Sequence, residues 1–123
     1  MKTVLLVEDD DFIRKMYVLK LSRAKGFKIV EAQDGDVALE LIAKQKPDLM
    51  LLDLMMPKKS GLEVLQDLKN KKISIDTIIL SNVLSDEMRS QAKSLGVKDY
   101  IIKASSTPSD VLQKIQTTLG LAQ

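Results

Sequence analysis

Val4-Leu5-Leu6-Val7-Glu8-Asp9-Asp10-Asp11 sets four consecutive aliphatic residues directly against four consecutive acids. An uninterrupted apolar run, unlike an alternating one, suits a strand buried on both faces, as in a parallel sheet covered by helices. Similar short runs recur at Leu49–Leu52, Thr77–Leu80 and Tyr100–Ile102, with a weaker one at Phe27–Val30. Between them the apolar residues take helical spacing. Phe12, Met16 and Leu19, flanked by Ile13 and Tyr17, predict a helix over Asp11–Ala24, and Leu62, Leu65 and Leu68 predict one over Gly61–Lys71. Val37, Ala38, Leu41 and Ile42 form a third stripe, Met88, Ala92 and Leu95 a fourth, and Val111, Ile115 and Leu119 a fifth. Each reads as a helix face turned to the core.

Turn chemistry agrees with this division. Ser60-Gly61-Leu62-Glu63 and Thr107-Pro108-Ser109-Asp110 have the form of capping boxes, the second with proline at the first helical position. Gly26, Gly96 and Gly120 fall where helix C-terminal glycines belong. The pattern is strand–helix repeated five times, which predicts an α/β fold. It would be a five-stranded, doubly wound parallel sheet with helices on both faces. A length of 123 residues suits one domain, 1–123, without a linker, an internal repeat or a low-complexity stretch.

Composition removes several function classes. At 45% hydrophobic and 29% charged the chain is ordinary globular material. Nineteen basic against 17 acidic residues give a net charge of +2, which supports no direct nucleic-acid partner. The absence of cysteine excludes disulfides, thiolate metal sites and cysteine catalysis. The absence of histidine excludes a Ser-His triad, a histidine-ligated metal and a phosphohistidine on this chain. No apolar run is long enough for a signal-peptide core or a membrane span, so the expectation is a soluble, cytoplasmic chain with no membrane partner.

In an open α/β sheet, ligands bind beyond the carboxyl ends of the strands. The residues expected there are Glu8–Asp11, Asp53, Ser81-Asn82 and Lys103-Ala104. If the first and third strands are neighbours, Glu8, Asp9 and Asp53 converge, and three carboxylates repel unless a cation offsets them. Mg²⁺, or Mn²⁺, suits oxygen-only ligands and is commonly shared with a phosphate. Lys103 supplies a flexible positive charge and Ser81 a rotatable hydroxyl donor. Such a set suits acceptance of a phosphoryl group, with Asp53 as nucleophile. Plainer readings exist for each residue. Glu8–Asp11 would also suit a helix N-terminus, the preferred reading for Asp10 and Asp11. Asp53 would suit an exposed strand end, Ser81 a turn, and Lys103 a solvated surface. Their convergence on one sheet edge favours the site.

The motifs Val4–Asp10, Leu52-Asp53-Leu54-Met55-Met56-Pro57, Ile79-Leu80-Ser81 and Tyr100-Ile101-Ile102-Lys103 resemble the four signatures of response-regulator receiver domains. Gly61, Glu31-Ala32-x-Asp34-Gly35 and Gly96-Val97-x-Asp99-Tyr100 also match, so the resemblance covers essentially the whole chain in order. It implies a flavodoxin-like sheet of strand order 2-1-3-4-5 and a phosphorylation switch of two-component signalling. Asp53 would accept a phosphoryl group from a phosphohistidine on a histidine kinase or phosphotransfer protein. Asp9 would ligate Mg²⁺ directly, Glu8 through water, and Met55 through its backbone carbonyl. Ser81 would follow the phosphoryl group, Lys103 would pair with it, and Tyr100 would turn inward. The change would appear around strands 4 and 5 and helix 4. It would be read by a downstream protein target or a covalently linked output domain. Such a chain is no enzyme beyond its own aspartyl phosphorylation and dephosphorylation.

The sequence departs from that pattern in places. Asn82 stands where the family usually has a very small residue, which predicts altered donor access or rate. Met55 and Val83 are apolar, which leaves few groups to position an attacking water and predicts a long-lived phosphoryl state. Ala104 replaces the proline that in the family follows the lysine across a cis bond. A cis bond costs about 0.5–1 kcal/mol before proline and roughly 2.5–4 before alanine. The expectation is therefore a trans Lys103–Ala104 bond and a rearranged Ala104–Ser106 loop, with Lys103 still directed at Asp53.

Other readings fit less well. A haloacid-dehalogenase-type phosphatase needs a second carboxylate two residues after the nucleophile, where this chain has Met55. In an FMN binder of this fold, Glu8–Asp11 would repel the phosphate. No G-x-G-x-x-G or P-loop pattern occurs among the five glycines. The remaining alternative is a pseudo-receiver, a phosphorylation-independent protein-binding module. Its usual mark is loss of an essential residue, and none is lost here.

Overall fold

The computed structural model describes residues 1–121. Its strands are β1 (Lys2–Val7), β2 (Phe27–Ala32), β3 (Leu49–Leu52), β4 (Thr77–Ser81) and β5 (Asp99–Ile102). The helices are α1 (Asp11–Leu21), α2 (Gly35–Gln45), α3 (Gly61–Asn70), α4 (Asp86–Ser94) and α5 (Pro108–Leu119). All strand pairs are parallel, in the order β2-β1-β3-β4-β5. Val7 lies opposite Leu52, Leu52 opposite Ile79, and Ser81 opposite Ile102. The register therefore brings four strand ends to one edge.

Two cores explain the uninterrupted apolar runs. Successive side chains of a strand point to opposite faces. Leu5 and Val7 enter one core with Met50, Leu52 and Ile79, under α2, α3 and α4. Val4 and Leu6 enter the other with Leu49, Leu51, Ile78 and Leu80, under α1 and α5. The helices start where their caps say. Ser60 with Glu63 and Thr107 with Asp110 both close reciprocal capping boxes, and Pro108 opens α5. Gly96 follows the C-cap of α4 with φ 91°, and Gly120 caps α5 in the left-handed conformation. Among the described residues no helix is long and apolar enough to cross a membrane.

Helix α1 departs from expectation twice. It ends at Leu21, not Ala24: Ser22 is the C-cap, Ser22 and Arg23 are exposed, and Ala24 packs on the core from a turn in which its N–H donates to the Leu21 carbonyl at 3.2 Å. Gly26 is therefore not its cap; it sits in the turn into β2, where its carbonyl accepts the Lys2 N–H at 3.2 Å. The buried face is also rotated. Arg14, Tyr17 and Leu21 point inward, while Phe12 is 83% and Leu19 63% exposed. An arginine reads as a surface residue, so the buried face lies further along the chain than the apolar stripe predicts. The guanidinium is buried because the neighbouring loop satisfies it.

Candidate functional site

The edge formed by the strand ends carries the chemistry. Glu8 follows β1, Asp53 follows β3, Ser81 closes β4 and Lys103 follows β5. Glu8, Asp53 and Ser81 are all buried. Carboxylate oxygens of Glu8, Asp9 and Asp53 lie within 4.8 Å of one another. The Lys103 ammonium donates to Asp53 Oδ2 at 2.9 Å and also pairs with Glu8 Oε1. Asp53 Oδ1 accepts the Ser81 hydroxyl at 2.7 Å and the Met55 N–H at 3.1 Å. Among the described residues no buried side-chain polar atom lacks a partner.

The electrostatics follow from crowding charge in a dry place. Burial pushes the Glu8 carboxyl above the usual carboxylate range, and Asp53 adds to this, although Lys103 and the Asp10 N–H pull the other way. Burial alone would lower Lys103, but its bonds to Glu8 and Asp53 outweigh that and hold it above the ordinary lysine value. Lys103 thus stays charged. Three carboxylates around a single ammonium still leave negative charge in excess. A hard divalent cation with oxygen ligands fits that donor set.

The run of four acids divides as its chemistry requires. The Asp10 carboxylate accepts the Ile13 N–H at 2.9 Å and caps α1, and Asp11 pairs with Arg14. Glu8 and Asp9 are left for the pocket. Arg14 was not legible as a site residue. Its Nη1 donates to the Glu8 carbonyl oxygen at 2.9 Å and its Nε to Glu31 Oε1 at 3.2 Å, so it holds the backbone that carries Glu8. The one signal for it was an arginine three residues after an acid in the first helical turn. Gly61 braces the Asp53 backbone from the other side. Its N–H donates to the Leu54 carbonyl at 3.0 Å, and a Cβ there would lie 2.3 Å from the Asp53 carbonyl oxygen.

Beyond β5 the chain makes one 3-10 turn, Lys103–Ser105. No peptide bond is cis among the described residues, so the Lys103–Ala104 bond is trans, and Lys103 still reaches Asp53. Asn82 Oδ1 accepts the Ala104 N–H at 2.8 Å. Tyr100 is half-buried, its hydroxyl donates to the Val83 carbonyl at 2.8 Å, and the Arg89 guanidinium lies 4.8 Å from its ring centroid. Ser81 Oγ in turn accepts the Val83 N–H at 3.3 Å. Asp53, Ser81, Val83 and Tyr100 therefore form one connected series. A shallow depression of about 220 Å³ opens over Asp53, between Met55, Ser81, Asn82, Val83 and Lys103. The Met55 side chain is exposed at its rim.

Comparison with known proteins gives a consistent answer. The family described as "Response regulator receiver domain" matches residues 4–116. The phosphate regulon transcriptional regulatory protein PhoB of Pseudomonas aeruginosa is 34% identical over 120 residues, covering 96% of this chain and 52% of that protein. The chain spans about half the length of the curated relatives it matches first. The BeF3-activated N-terminal receiver domain of Klebsiella pneumoniae RstA superposes with a TM-score of 0.85 at 30% identity, covering 96% of this chain and 98% of that one. The chemotaxis protein CheY4 of Vibrio cholerae gives 0.85 at 27% identity, covering 95% and 98%. With the fold, the strand order and the family match in agreement, the chain belongs to the response regulator receiver domains of two-component systems.

Proposed function

We propose that Asp53 is the phosphoryl acceptor of a signalling switch, and that a phosphohistidine on a partner histidine kinase or phosphotransfer protein is the donor. The observation that carries this is the Asp53 carboxylate, with one oxygen on the Lys103 ammonium and the other on the Ser81 hydroxyl. An Asp53 oxygen attacks phosphorus, the P–N bond to the donor imidazole breaks, and its electron pair stays on the imidazole nitrogen. Lys103 stabilises the charge gathered on the phosphoryl oxygens, and Ser81 turns its hydroxyl from the carboxylate to one of them. Arg14, through the Glu8 carbonyl, keeps the acidic loop in place.

Glu8, Asp9, Asp53 and the Met55 carbonyl would hold Mg²⁺ or Mn²⁺. The ion would supply neutralisation of the acids and of the incoming anion. Movement of Ser81 would reach Tyr100 through Val83, so the surface changed is that of β4, β5 and α4. Apolar Met55 and Val83 beside the depression offer no group to position water, which supports slow hydrolysis of the acyl phosphate. The output is a downstream protein or a linked output domain, and the setting is the cytoplasm.

Incubation with acetyl phosphate and Mg²⁺ tests the assignment. The expected product is a single acid-stable, base-labile acyl phosphate on Asp53, absent from Asp53→Asn. Equal modification of that variant overturns the acceptor assignment. A wild type that takes no phosphoryl group from any donor leaves a phosphorylation-independent binding module in its place.

A further inference from the structure

Lys103 sits at the start of a turn with little else to hold it. Its ammonium ends a flexible chain, so where it points depends on where the turn places its backbone. The residue before the turn, Ile102, makes no side-chain cap, and Ala104 and Ser105 are exposed. The turn's own closing bonds are long. The Ser106 N–H reaches the Lys103 carbonyl at 3.3 Å, and the Ser105 hydroxyl reaches the Ile102 carbonyl at 3.4 Å. Against these stands the 2.8 Å bond from the Ala104 N–H to Asn82 Oδ1. Among the described residues it is the one side-chain bond that another element makes to the backbone of this turn. Because Ser81 lies opposite Ile102, Asn82 lies across from Lys103 and reaches one residue further.

We propose that Asn82 is a positioning residue for Lys103, its side-chain carbonyl tying the turn to the end of β4 through the Ala104 N–H. This rests on the reading of Asp53 and Lys103 as the phosphoacceptor pair. The chemistry couples two positions. The bond exists only because residue 104 has an N–H, which a proline would lack. Asn82 and Ala104 therefore act as a unit. The first N–H groups of a helical turn lack internal partners, and this is the one Asn82 satisfies. A smaller side chain at position 82 would leave it to water and free the turn.

The test is a double-mutant cycle in the full chain, read in two ways. The order of the Lys103 side chain is measured by NMR relaxation of its ammonium and ε-methylene, without any phosphodonor. The rate of acyl-phosphate formation is measured with acetyl phosphate at saturating Mg²⁺. Asn82→Ala should make the Lys103 side chain measurably more mobile and slow the reaction by about three- to tenfold, the weight of one ordinary hydrogen bond. Asn82→Asp, which keeps an acceptor oxygen, should restore the order of Lys103. In the Ala104→Pro background, Asn82→Ala should leave the order of Lys103 unchanged and should not slow the reaction, since what remains is the wider access to the depression that Asn82 lines. A Lys103 as ordered in Asn82→Ala as in the wild type overturns the proposal, as does an equal loss of rate in both backgrounds. If the Ala104→Pro variants do not fold, the Lys103 order in Asn82→Ala and Asn82→Asp still decides. A wild type that accepts no phosphoryl group refutes the acceptor reading, while the relaxation arm still judges the tether.

Discussion

Gly61→Ala separates a glycine needed for space from one needed for backbone freedom. Gly61 is buried at the first position of α3 and its φ is not positive. An added Cβ would meet the Asp53 carbonyl oxygen at 2.3 Å, Leu54 Cα at 2.8 Å and Leu54 Cδ2 at 3.0 Å. Comfortable carbon–oxygen contacts lie at about 3.3 Å or beyond, so the backbone of α3 and the Asp53 loop must part by roughly 1 Å. The nearest atoms are backbone, so no side chain can swing away. Overpacking of this kind costs about 1–3 kcal/mol. Parting the segments also lengthens the Gly61 N–H to Leu54 carbonyl bond, worth about 0.5–1.5 kcal/mol. Together they come to about 1.5–4.5 kcal/mol, a large share of the roughly 5–15 kcal/mol that holds a small domain. Gly96→Ala is the control. Nothing lies within 4 Å of its added Cβ, but φ is 91°, so it meets only the left-handed penalty of about 1–2 kcal/mol. Urea unfolding followed by circular dichroism should show a lower midpoint for both at unchanged slope, larger for Gly61→Ala. Only Gly61→Ala should also lower phosphorylation, because only it displaces Asp53. A loss below about 0.5 kcal/mol for Gly61→Ala, with normal phosphorylation, would refute the close-approach argument.

The acidic run gives a second contrast. Mg²⁺ at a hundredfold excess over its dissociation constant should stabilise the fold by about 2–3 kcal/mol. Asp9→Ala should abolish most of that thermal shift, and Asp11→Ala should leave it intact because Asp11 is engaged by Arg14. Equal effects would show that the acids are misassigned. Without Mg²⁺, Asp9→Ala should melt no lower than the wild type, since one repelling carboxylate is gone. The pH dependence tests Asp99, whose carboxylate accepts the Tyr100 N–H and the Lys114 ammonium, each at 2.8 Å. Burial alone would raise its pKa, but these bonds outweigh it and hold the group below its ordinary 3.8. A depressed folded pKa means stability that is present above the unfolded value and lost as pH falls through the folded one. The deficit of Asp99→Asn should therefore be constant near neutral pH and shrink below about pH 3.8. A deficit that persists unchanged in acid would mean that the charge on Asp99 is irrelevant.

Where the chain's own local chemistry set the structure, the reading and the structure coincide. Both capping boxes close as their spacing indicates, because each is complete within four residues. The apolar runs at Leu49–Leu52 and Thr77–Leu80 became buried central strands, β4 gaining only Ser81. Asp10 and Asp11 went to the start of α1 because a helix N-terminus offers free N–H groups immediately beside them. The rotation of α1 is not legible in its own sequence for the opposite reason. Its inward face includes Arg14, which is satisfied by a carbonyl on the preceding loop and by Glu31 on β2, and nothing within the helix announces those partners.

By itself the sequence determined the alternation of strands and helices, the cores on both faces of the sheet, and the set of acids, hydroxyl and lysine expected beyond the strand ends. Hydrophobic periodicity carries that information because burial is decided one element at a time. Tertiary structure decided which of those groups touch. Lys103 meets Asp53 across 50 residues of chain, and Asn82 meets the Ala104 N–H across 22. Such contacts depend on strand order and register, which arise when all the elements pack together. Local pattern can place a residue at an edge; only the assembled sheet chooses its neighbour.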